Sequence, residues 1–236
     1  MGRMKVAMRF RARATDRPVP FIRRMLHGAL AMVLALPGAS IAEQVFTSSD
    51  ILDWEPHVFA DRTHYERVET DSGPAVHAVC QGGGASGLYR RQRIDLSETP
   101  VIEWRWRVDE TAHDRDETQQ SGDDYAARLY VVHEYDLLVW RTRAINYVWA
   151  ANQPKGSDWP NAYQSRAHVV AVRSGTDEGD DRWRTQRRNL RKDFRRFHDR
   201  ELGAISAVAI MTDCDDTGKS VEAWYGEIRF LPGDDS

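Results

Sequence analysis

The strongest constraint on the fold is a series of short segments in which apolar and polar residues alternate. Between Val101 and Val108, apolar side chains occupy every even position, and Glu103, Arg105 and Arg107 lie between them. Successive side chains of a strand point to opposite faces, so this pattern predicts a strand with one buried face. Turns rich in Gly, Asp and Pro separate the segments. The predicted strands are 65–70, 75–80, 88–96, 101–108, 125–133, 144–149, 167–173, 204–212 and 220–230.

One segment departs from this alternation. Between Arg182 and His198, the apolar residues Trp183, Leu190, Phe194 and Phe197 recur with helical spacing, and an aspartate precedes them as a cap. Arginines and lysines cover the other faces, which is more typical of a solvated surface than of an anion-binding one. The predicted fold is therefore mostly β: an antiparallel β-sandwich, jelly-roll or galactose-binding-like, with one amphipathic helix late in the chain. A β-barrel is the alternative.

Residues 1–42 have the composition of a cleavable export signal. Basic residues come first, an apolar run from Leu26 to Leu36 follows, and small residues at Ser40 and Ala42 suit a signal peptidase. The run is shorter than the roughly 20 residues that span a bilayer. We expect a signal peptide over 1–42 and one β-sandwich domain over 43–236. The expected location is periplasmic or secreted, with no membrane span after processing.

Removal of this segment makes the chain acidic. Residues 1–42 hold eight of the 33 Lys and Arg but one of the 36 Asp and Glu, which leaves residues 43–236 with a net charge of −10. Such a balance argues against nucleic acid or an anionic membrane surface as the main partner.

Both cysteines, Cys80 and Cys214, belong to the predicted domain. An oxidising compartment permits a disulfide between them. The sequence alone leaves open whether they pair or stay as two buried thiols.

Motifs that would assign a reaction are absent. The chain has no H-E-x-x-H zinc pair, no G-x-S-x-G nucleophile elbow and no complete G-x-x-x-x-G-K-[ST] phosphate loop. No catalytic residue is therefore predicted outright. An alternative is a glycan-cleaving hydrolase in which Asp123 or Asp124, before a strand, and Asp193, on the helix, form an acid–base pair.

An acidic turn follows the strand at 204–212. Its side chains Asp213, Asp215 and Asp216 offer oxygen ligands of the kind that calcium prefers. The alternative is a solvated turn. Structural calcium is the one cofactor that the sequence suggests.

Aromatic residues also gather around a loop at 151–165. Trp149, Trp159 and Tyr163 lie at or inside it. Rigid rings in a loop suit stacking on a sugar or a partner, although a loop packed on its own apolar cluster has the same composition.

Four groups of residues together resemble one known family. They are Gly122-Asp123-Asp124-Tyr125-Ala126-Ala127-Arg128-Leu129-Tyr130, Asn146-Tyr147-Val148-Trp149, Arg188-Asn189 with Asp193, and Met211-Thr212-Asp213 followed by Trp224-Tyr225-Gly226-Glu227-Ile228. In this order they resemble the exported bacterial family known as domain of unknown function three-zero-four-seven. That family has no established activity, so the resemblance implies polar landmark positions without a function.

Three hypotheses follow. The first is a non-catalytic module that binds a carbohydrate or another cell-envelope ligand. Its predicted ligand-binding residues are Asp124, Arg128, Asn146, Tyr147, Trp149, Trp159, Tyr163, Arg188 and Asn189. The second is the hydrolase. The third is a structural or partner-binding envelope protein whose polar residues satisfy one another, because Arg128, in a strand apolar on both faces, needs a buried acidic partner.

Overall fold

A computed structural model of the chain describes residues 43–111, 115–134, 142–175 and 183–233, and every structural statement below concerns these ranges. The predicted signal peptide lies outside them. Among the described residues, no helix is both long enough and apolar enough to cross a bilayer.

The described chain is built mainly from strands. They are β1 (Gln44–Phe46), β2 (Glu55–Val58), β3 (His64–Thr70), β4 (Gly73–Cys80), β5 (Ala85–Asp95), β6 (Val101–Arg107), β7 (Arg128–His133), β8 (Arg143–Ala150), β9 (Asp158–Pro160), β10 (Ala167–Ser174), β11 (Arg184–Asn189), β12 (Ala204–Asp213) and β13 (Val221–Leu231). Two α-helices, α1 (Ser48–Leu52) and α2 (Leu190–His198), and a 3-10 turn at Gln120–Gly122 accompany them. Strands β1, β2, β9 and β11 are short or carry no apolar alternation, and the sequence pattern did not predict them.

The strands form two sheets, which confirms the predicted sandwich. The first sheet has the order β11-β6-β13-β4-β3, with β1 also paired to β13. The second has the order β2-β5-β12-β7-β8-β10-β9. One pair departs from the predicted antiparallel arrangement, because β8 and β10 run parallel. Residues 151–166 cross between them and supply β9, and parallel neighbours need a crossover of this length.

A tryptophan-rich core lies between the two sheets. The alternation predicted for 101–108 is confirmed, because Trp104 and Trp106 are 1% and 0% exposed, with ring centroids 5.3 Å apart. A second, smaller apolar cluster lies on the other face of the second sheet. It contains Tyr125, Val148, Ala150, Trp159, Val169 and Ala171. We call this face, which is turned away from the first sheet, the outer face; the crossover covers part of it.

The predicted helix starts too early in sequence. Residues 184–189 form β11, paired with β6, and α2 begins only at Leu190. Asn189 is the N-cap, and its side chain accepts a hydrogen bond from the backbone N–H of Lys192 at 3.1 Å. Residues 184–189 are all polar and supply no apolar helical face. The open edge of β6 provides backbone partners for them instead.

A disulfide joins the two sheets. Cys80, the last residue of β4, is bonded to Cys214, which directly follows β12, and their Cα atoms lie 6.0 Å apart. The structure thus pairs the two cysteines, whose state the sequence left open. The bond holds the turn that follows β12 against the first sheet.

Candidate functional site

Two connected cavities lie on the outer face of the second sheet. The large cavity, of 540 Å³, is bounded by side chains from β5, β7, β8, β10 and β12 and from the turn after β12. The small cavity, of 310 Å³, lies along β2, β5, β7 and β12. Phe59, Tyr130 and Met211 border both. We call the two cavities together the groove.

Strand alternation explains why this face is open and polar. In β7, Leu129 and Val131 point into the core, while Arg128 and Tyr130 face the large cavity. Gly87 of β5 is needed because a Cβ there would lie 2.6 Å from the carbonyl oxygen of Ile210 in β12. The absence of a side chain at this position keeps the small cavity open.

Arg128 is the centre of the polar network at the end of the large cavity. It is 2% exposed. Its Nε donates to Asp213 at 2.7 Å, and a terminal nitrogen donates to the other carboxylate oxygen of Asp213 and to the backbone carbonyl of Asp123. Its guanidinium also lies 4.2 Å from the ring centroid of Tyr125. The buried acidic partner that the sequence required is therefore Asp213, with the Asp123 carboxylate 3.5 Å away.

The carboxyl group of Asp213 has an unusual environment. Burial raises its pKa, the nearby Asp124 and Asp123 carboxylates act in the same direction, and the charge and hydrogen bonds of Arg128 oppose them. Asp123 in turn accepts hydrogen bonds from the side-chain amide of Asn161 at 3.1 and 3.2 Å. A buried acid, a buried cation and an amide are thus held together with little freedom to move.

The rim of the large cavity is acidic and aromatic. The Asp124 carboxylate accepts hydrogen bonds from the backbone N–H groups of Asp216 and Thr217 at 3.1 and 2.6 Å, which shapes the turn after β12. The hydroxyl of Tyr163, in the crossover, donates to Asp216. This hydrogen bond raises the pKa of Tyr163 and joins the crossover to the acidic turn.

The predicted calcium ligands come together only in part. The carboxylate oxygens that lie within 4.8 Å of one another belong to Asp124, Asp213 and Asp215, so Asp124 takes the place predicted for Asp216. Both oxygens of Asp213 already accept from Arg128. Three carboxylates are suitable donors in kind, but a neighbouring guanidinium opposes a divalent cation. This donor set does not fit calcium well, and calcium here stays a prediction.

Three predicted ligand-binding residues face the core instead of the groove. The hydroxyl of Tyr147 donates to Asp193 at 2.6 Å, and Arg188 donates to the same carboxylate at 2.6 and 2.7 Å. Trp149 is 1% exposed, and its Nε1 donates to the carbonyl of Gly175. Tyr147 and Trp149 are odd-numbered residues of β8, whose even-numbered neighbours point the other way, so both side chains point away from the groove.

Two further predicted residues do not line the groove either. Trp159 is 7% exposed and packs in the smaller apolar cluster under the crossover. Asn189 caps α2. The crossover folds onto its own apolar cluster, which was the alternative interpretation of these aromatics, and only Tyr163 remains at the surface.

The structure does not assemble the predicted acid–base pair. Asp123 and Asp124 lie at the groove, while Asp193 lies on the core side of the second sheet, held by Tyr147 and Arg188. Each of these acids already has partners within the protein. Asp193 therefore does not face Asp123 or Asp124 across the groove, as an acid–base pair on a glycan would need to.

Two predicted residues, Asn146 and Trp159, have buried side-chain polar atoms without a hydrogen-bond partner among the described residues. Asn146 is fully buried, and neither its amide nitrogen nor its amide oxygen has a partner within the described ranges. It lies on the outer face, two residues from Ala144 of the large cavity and opposite Tyr130 in register. A buried amide of this kind is costly without a partner, but Asn146 is not among the residues that line either cavity.

Several groove residues were not predicted as ligand-binding from the sequence. Phe59, Tyr130, Asn161 and Met211 all line the large cavity. The alternation in β7 placed Tyr130 on the same face as the polar landmark Arg128, and this signal was sufficient to find it. Phe59 follows β2, a strand without an apolar pattern, and no local signal distinguishes it.

The fold and the groove define the class: a two-layer β-sandwich with an open groove on one sheet. The chain belongs to the family described as Protein of unknown function (DUF3047), whose family model matches residues 52–229, and this confirms the resemblance in the sequence. No curated protein matches the chain.

Solved β-sandwich structures are similar in fold. A family 11 carbohydrate-binding module of a cellulosomal cellulase of Clostridium thermocellum has a TM-score of 0.46 at 12% identity, covering 83% of this chain and 97% of that one. A family 30 carbohydrate-binding module from a cellulosomal cellulase of the same organism has a TM-score of 0.42 at 12% identity, covering 77% and 88%. The K1 cleaved adhesin domain of Lys-gingipain from Porphyromonas gingivalis W83 has a TM-score of 0.37 at 9% identity, covering 82% and 99%. Similarity at this level does not identify a ligand.

Proposed function

We propose that the protein is a non-catalytic carbohydrate-binding module of the cell envelope and that the groove is its binding site. One observation carries this proposal. Among the described Phe, Tyr and Trp residues, only Phe59 and Tyr163 are highly exposed, at 66% and 57%. Both line the large cavity, although they come from different parts of the chain.

The surroundings of the two rings suit a polyhydroxylated ligand. Aromatic faces pack against the apolar faces of sugar rings, while nearby carboxylates, amides and guanidinium groups hydrogen-bond to hydroxyls. The large cavity combines these groups: two rings, the acidic rim and the Asn161 amide. A cavity of 540 Å³ also lies within the usual range for small-ligand sites.

A binding role agrees better with the carboxyl groups than a hydrolytic one. Asp123 and Asp213 are buried against Arg128, and Asp193 belongs to a separate network. The Cys80–Cys214 disulfide suits an oxidising compartment, which supports export through the predicted signal peptide.

The test is a glycan-array screen of the purified protein, followed by calorimetry on the best ligand with Phe59→Ala and Tyr163→Ala. Aromatic stacking contributes about 0.5–1.5 kcal/mol beyond area burial, so each variant should weaken binding roughly two- to tenfold. Val45→Ala is the matched control, because Val45 is exposed but lies on β1 of the other sheet. A folded protein that binds no glycan, or two ring variants with unchanged affinity, would contradict the proposal.

A further inference from the structure

We infer that the groove selects a chain of amino sugars carrying protonated amines over a neutral or an anionic glycan. This inference rests on the proposed function and narrows it to one class of ligand. It follows from the charges around the large cavity, from their existing partners and from the extent of the groove.

Carboxyl groups outnumber cations at the large cavity. Asp123, Asp213, Asp215 and Asp216 line it together with a single guanidinium, that of Arg128. In the small cavity, Arg91 and Glu134 form an ion pair at 2.7 Å, so their charges offset each other. The excess of carboxyl groups is therefore confined to one end of the groove.

Arg128 is not available to neutralise the rim. Its nitrogens already donate to Asp213 and to the Asp123 carbonyl, and it is almost wholly buried. Asp215 is exposed and Asp216 half-buried at the open side of the cavity. Burial raises the pKa of both Asp215 and Asp216, and the negative charge of neighbouring aspartates raises it further. A ligand cation placed there would relieve this repulsion, whereas a uronic acid carboxylate would increase it.

The polar part of the site does not consist of acids alone. Gln164, in the crossover, lines the large cavity and carries an amide side chain. An amide both donates and accepts, so it suits a hydroxyl or amine of a sugar better than a bare metal ion. Together with the rings of Phe59 and Tyr163, it distinguishes this groove from a simple acidic patch.

The large cavity is wide enough for a chain and not only for a single sugar. Its lining residues come from five neighbouring strands, in the order β5, β12, β7, β8 and β10. At about 4.8 Å between strands, this arrangement extends roughly 19 Å across the sheet. The small cavity continues the groove past Phe59. A linear oligosaccharide is the ligand shape that fills such a space.

The experiment compares chains with the same backbone and different charge. Calorimetry on the full protein would use the tetrasaccharides of β-1,4-linked glucosamine, β-1,4-linked glucose (cellotetraose) and β-1,4-linked glucuronic acid at about pH 6, below the ordinary pKa range of amino groups. We expect the glucosamine chain to bind at least about tenfold more tightly than cellotetraose, and the anionic oligomer to bind more weakly than both. Added salt should reduce the preference, because screening weakens exposed charge pairs.

A double variant tests whether the two rim carboxylates cause the preference for the glucosamine chain. Asp215→Asn combined with Asp216→Asn should bring the ratio of the two affinities close to one, since the amides keep the size of the side chains but not their charge. The control combines Asp71→Asn with Glu98→Gln, two exposed acids that do not line the groove, and it should leave the ratio unchanged. An equal drop in the ratio for both double variants would indicate net charge instead of the site and would overturn the inference.

The remaining outcomes separate this inference from the proposed function. Equal binding of glucosamine and cellotetraose overturns the charge preference and leaves a carbohydrate-binding module. Absence of binding to every saccharide overturns the proposed function itself. Tetralysine is the last probe. If it binds as tightly as the glucosamine chain and Phe59→Ala does not weaken it, the groove recognises cationic peptides and the inference is wrong.

Discussion

Arg128 stabilises the groove by holding two acidic residues that are distant in sequence. Burying a guanidinium and a carboxylate costs several kcal/mol each, and their attraction offsets this cost only when the hydrogen bonds are complete. Here both oxygens of Asp213 and the carbonyl of Asp123 accept from Arg128. Such a pair adds little net stability, but removal of one member leaves an uncompensated charge.

Arg128→Met should therefore destabilise the protein by about 3–5 kcal/mol, because Asp213 would stay buried without its cation. Urea unfolding followed by tryptophan fluorescence measures this change. The double variant Arg128→Met with Asp213→Leu should recover part of the loss, since both charges are then removed. Arg191→Met, at an exposed position of α2, is the control and should change stability by less than about 1 kcal/mol. A single variant as stable as this control would show that the pair is dispensable.

For single residues, the sequence allowed a correct prediction where the physical requirement came from the residue's own strand. A charged residue in an apolar strand needs a partner, and Arg128 has one. The identity of the partner was not readable, because Asp213 lies 85 positions away in sequence. The faces of Tyr147 and Trp149 were not readable for another reason. Both rows of β8 are largely apolar, so alternation does not show which row faces the core.

Among the elements, α2 shows how a boundary depends on neighbouring strands. The apolar residues Leu190, Phe194 and Phe197 predicted its inner face, and all three pack on the core. Its start was wrong because the preceding polar residues pair with β6 as β11. Nine strands could be predicted from their own patterns, whereas β11 exists only because an unpaired edge lies beside it.

The docking of α2 on β8 should depend on pH through His198. Its Nε2 lies 2.9 Å from the carbonyl oxygen of Ala144, to which it donates. Burial lowers the pKa of His198, and the neighbours His168, Arg143 and Arg200 add to this. Because the pKa of His198 is lower in the folded than in the unfolded protein, neutral His198 is compatible with the fold above the ordinary histidine pKa of about 6.5. As the pH falls, protonation of His198 favours the unfolded protein, and stability is lost.

His198→Gln should make stability less dependent on pH, because glutamine keeps a donor near the Ala144 carbonyl and does not titrate. Thermal unfolding at about pH 7.5 and pH 5 measures the effect, since this interval spans the ordinary histidine pKa. The loss of midpoint temperature between the two conditions should be smaller in the variant than in the wild type. His64→Gln, at an exposed position of β3, is the control and should keep the wild-type difference. Equal differences in all three proteins would contradict the role of His198.

Over the whole molecule, topology decides which polar residues meet. Residues 123–128 and 213–216 lie far apart in sequence, but β7 and β12 are hydrogen-bonded neighbours, so their ends form one site. Asp193 resembles Asp123 as a sequence landmark, yet it lies on the core side of the same sheet. The sequence predicted the sandwich, because nine of the thirteen described strands carry their own pattern. It did not predict the order of strands within the sheets, and the composition of the site depends on that order.

The disulfide is the covalent link between this site and the rest of the sandwich. Cys214 stands between Asp213, held by Arg128, and Asp215 of the rim, and its N–H donates to the carbonyl of Gly84 at 2.8 Å. The bond closes a loop with a sequence separation of 134 residues. In the chain-entropy description, a loop of this length stabilises the fold by about 5 kcal/mol, because it restricts the unfolded chain.

Replacement of both cysteines, by Cys80→Ser with Cys214→Ser, should therefore reduce the free energy of unfolding by about 2–5 kcal/mol. Urea unfolding of the wild type with and without dithiothreitol supplies the matched comparison, since the reduced wild type should approach the variant. Ligand binding should weaken in the same samples, because the turn carrying Asp215 and Asp216 loses its attachment to β4. If the variant keeps wild-type stability, the hydrogen bonds of the turn are enough to hold the turn without the disulfide. If stability falls while affinity stays constant, the bond secures the fold, and Arg128 and Asp124 alone position the rim.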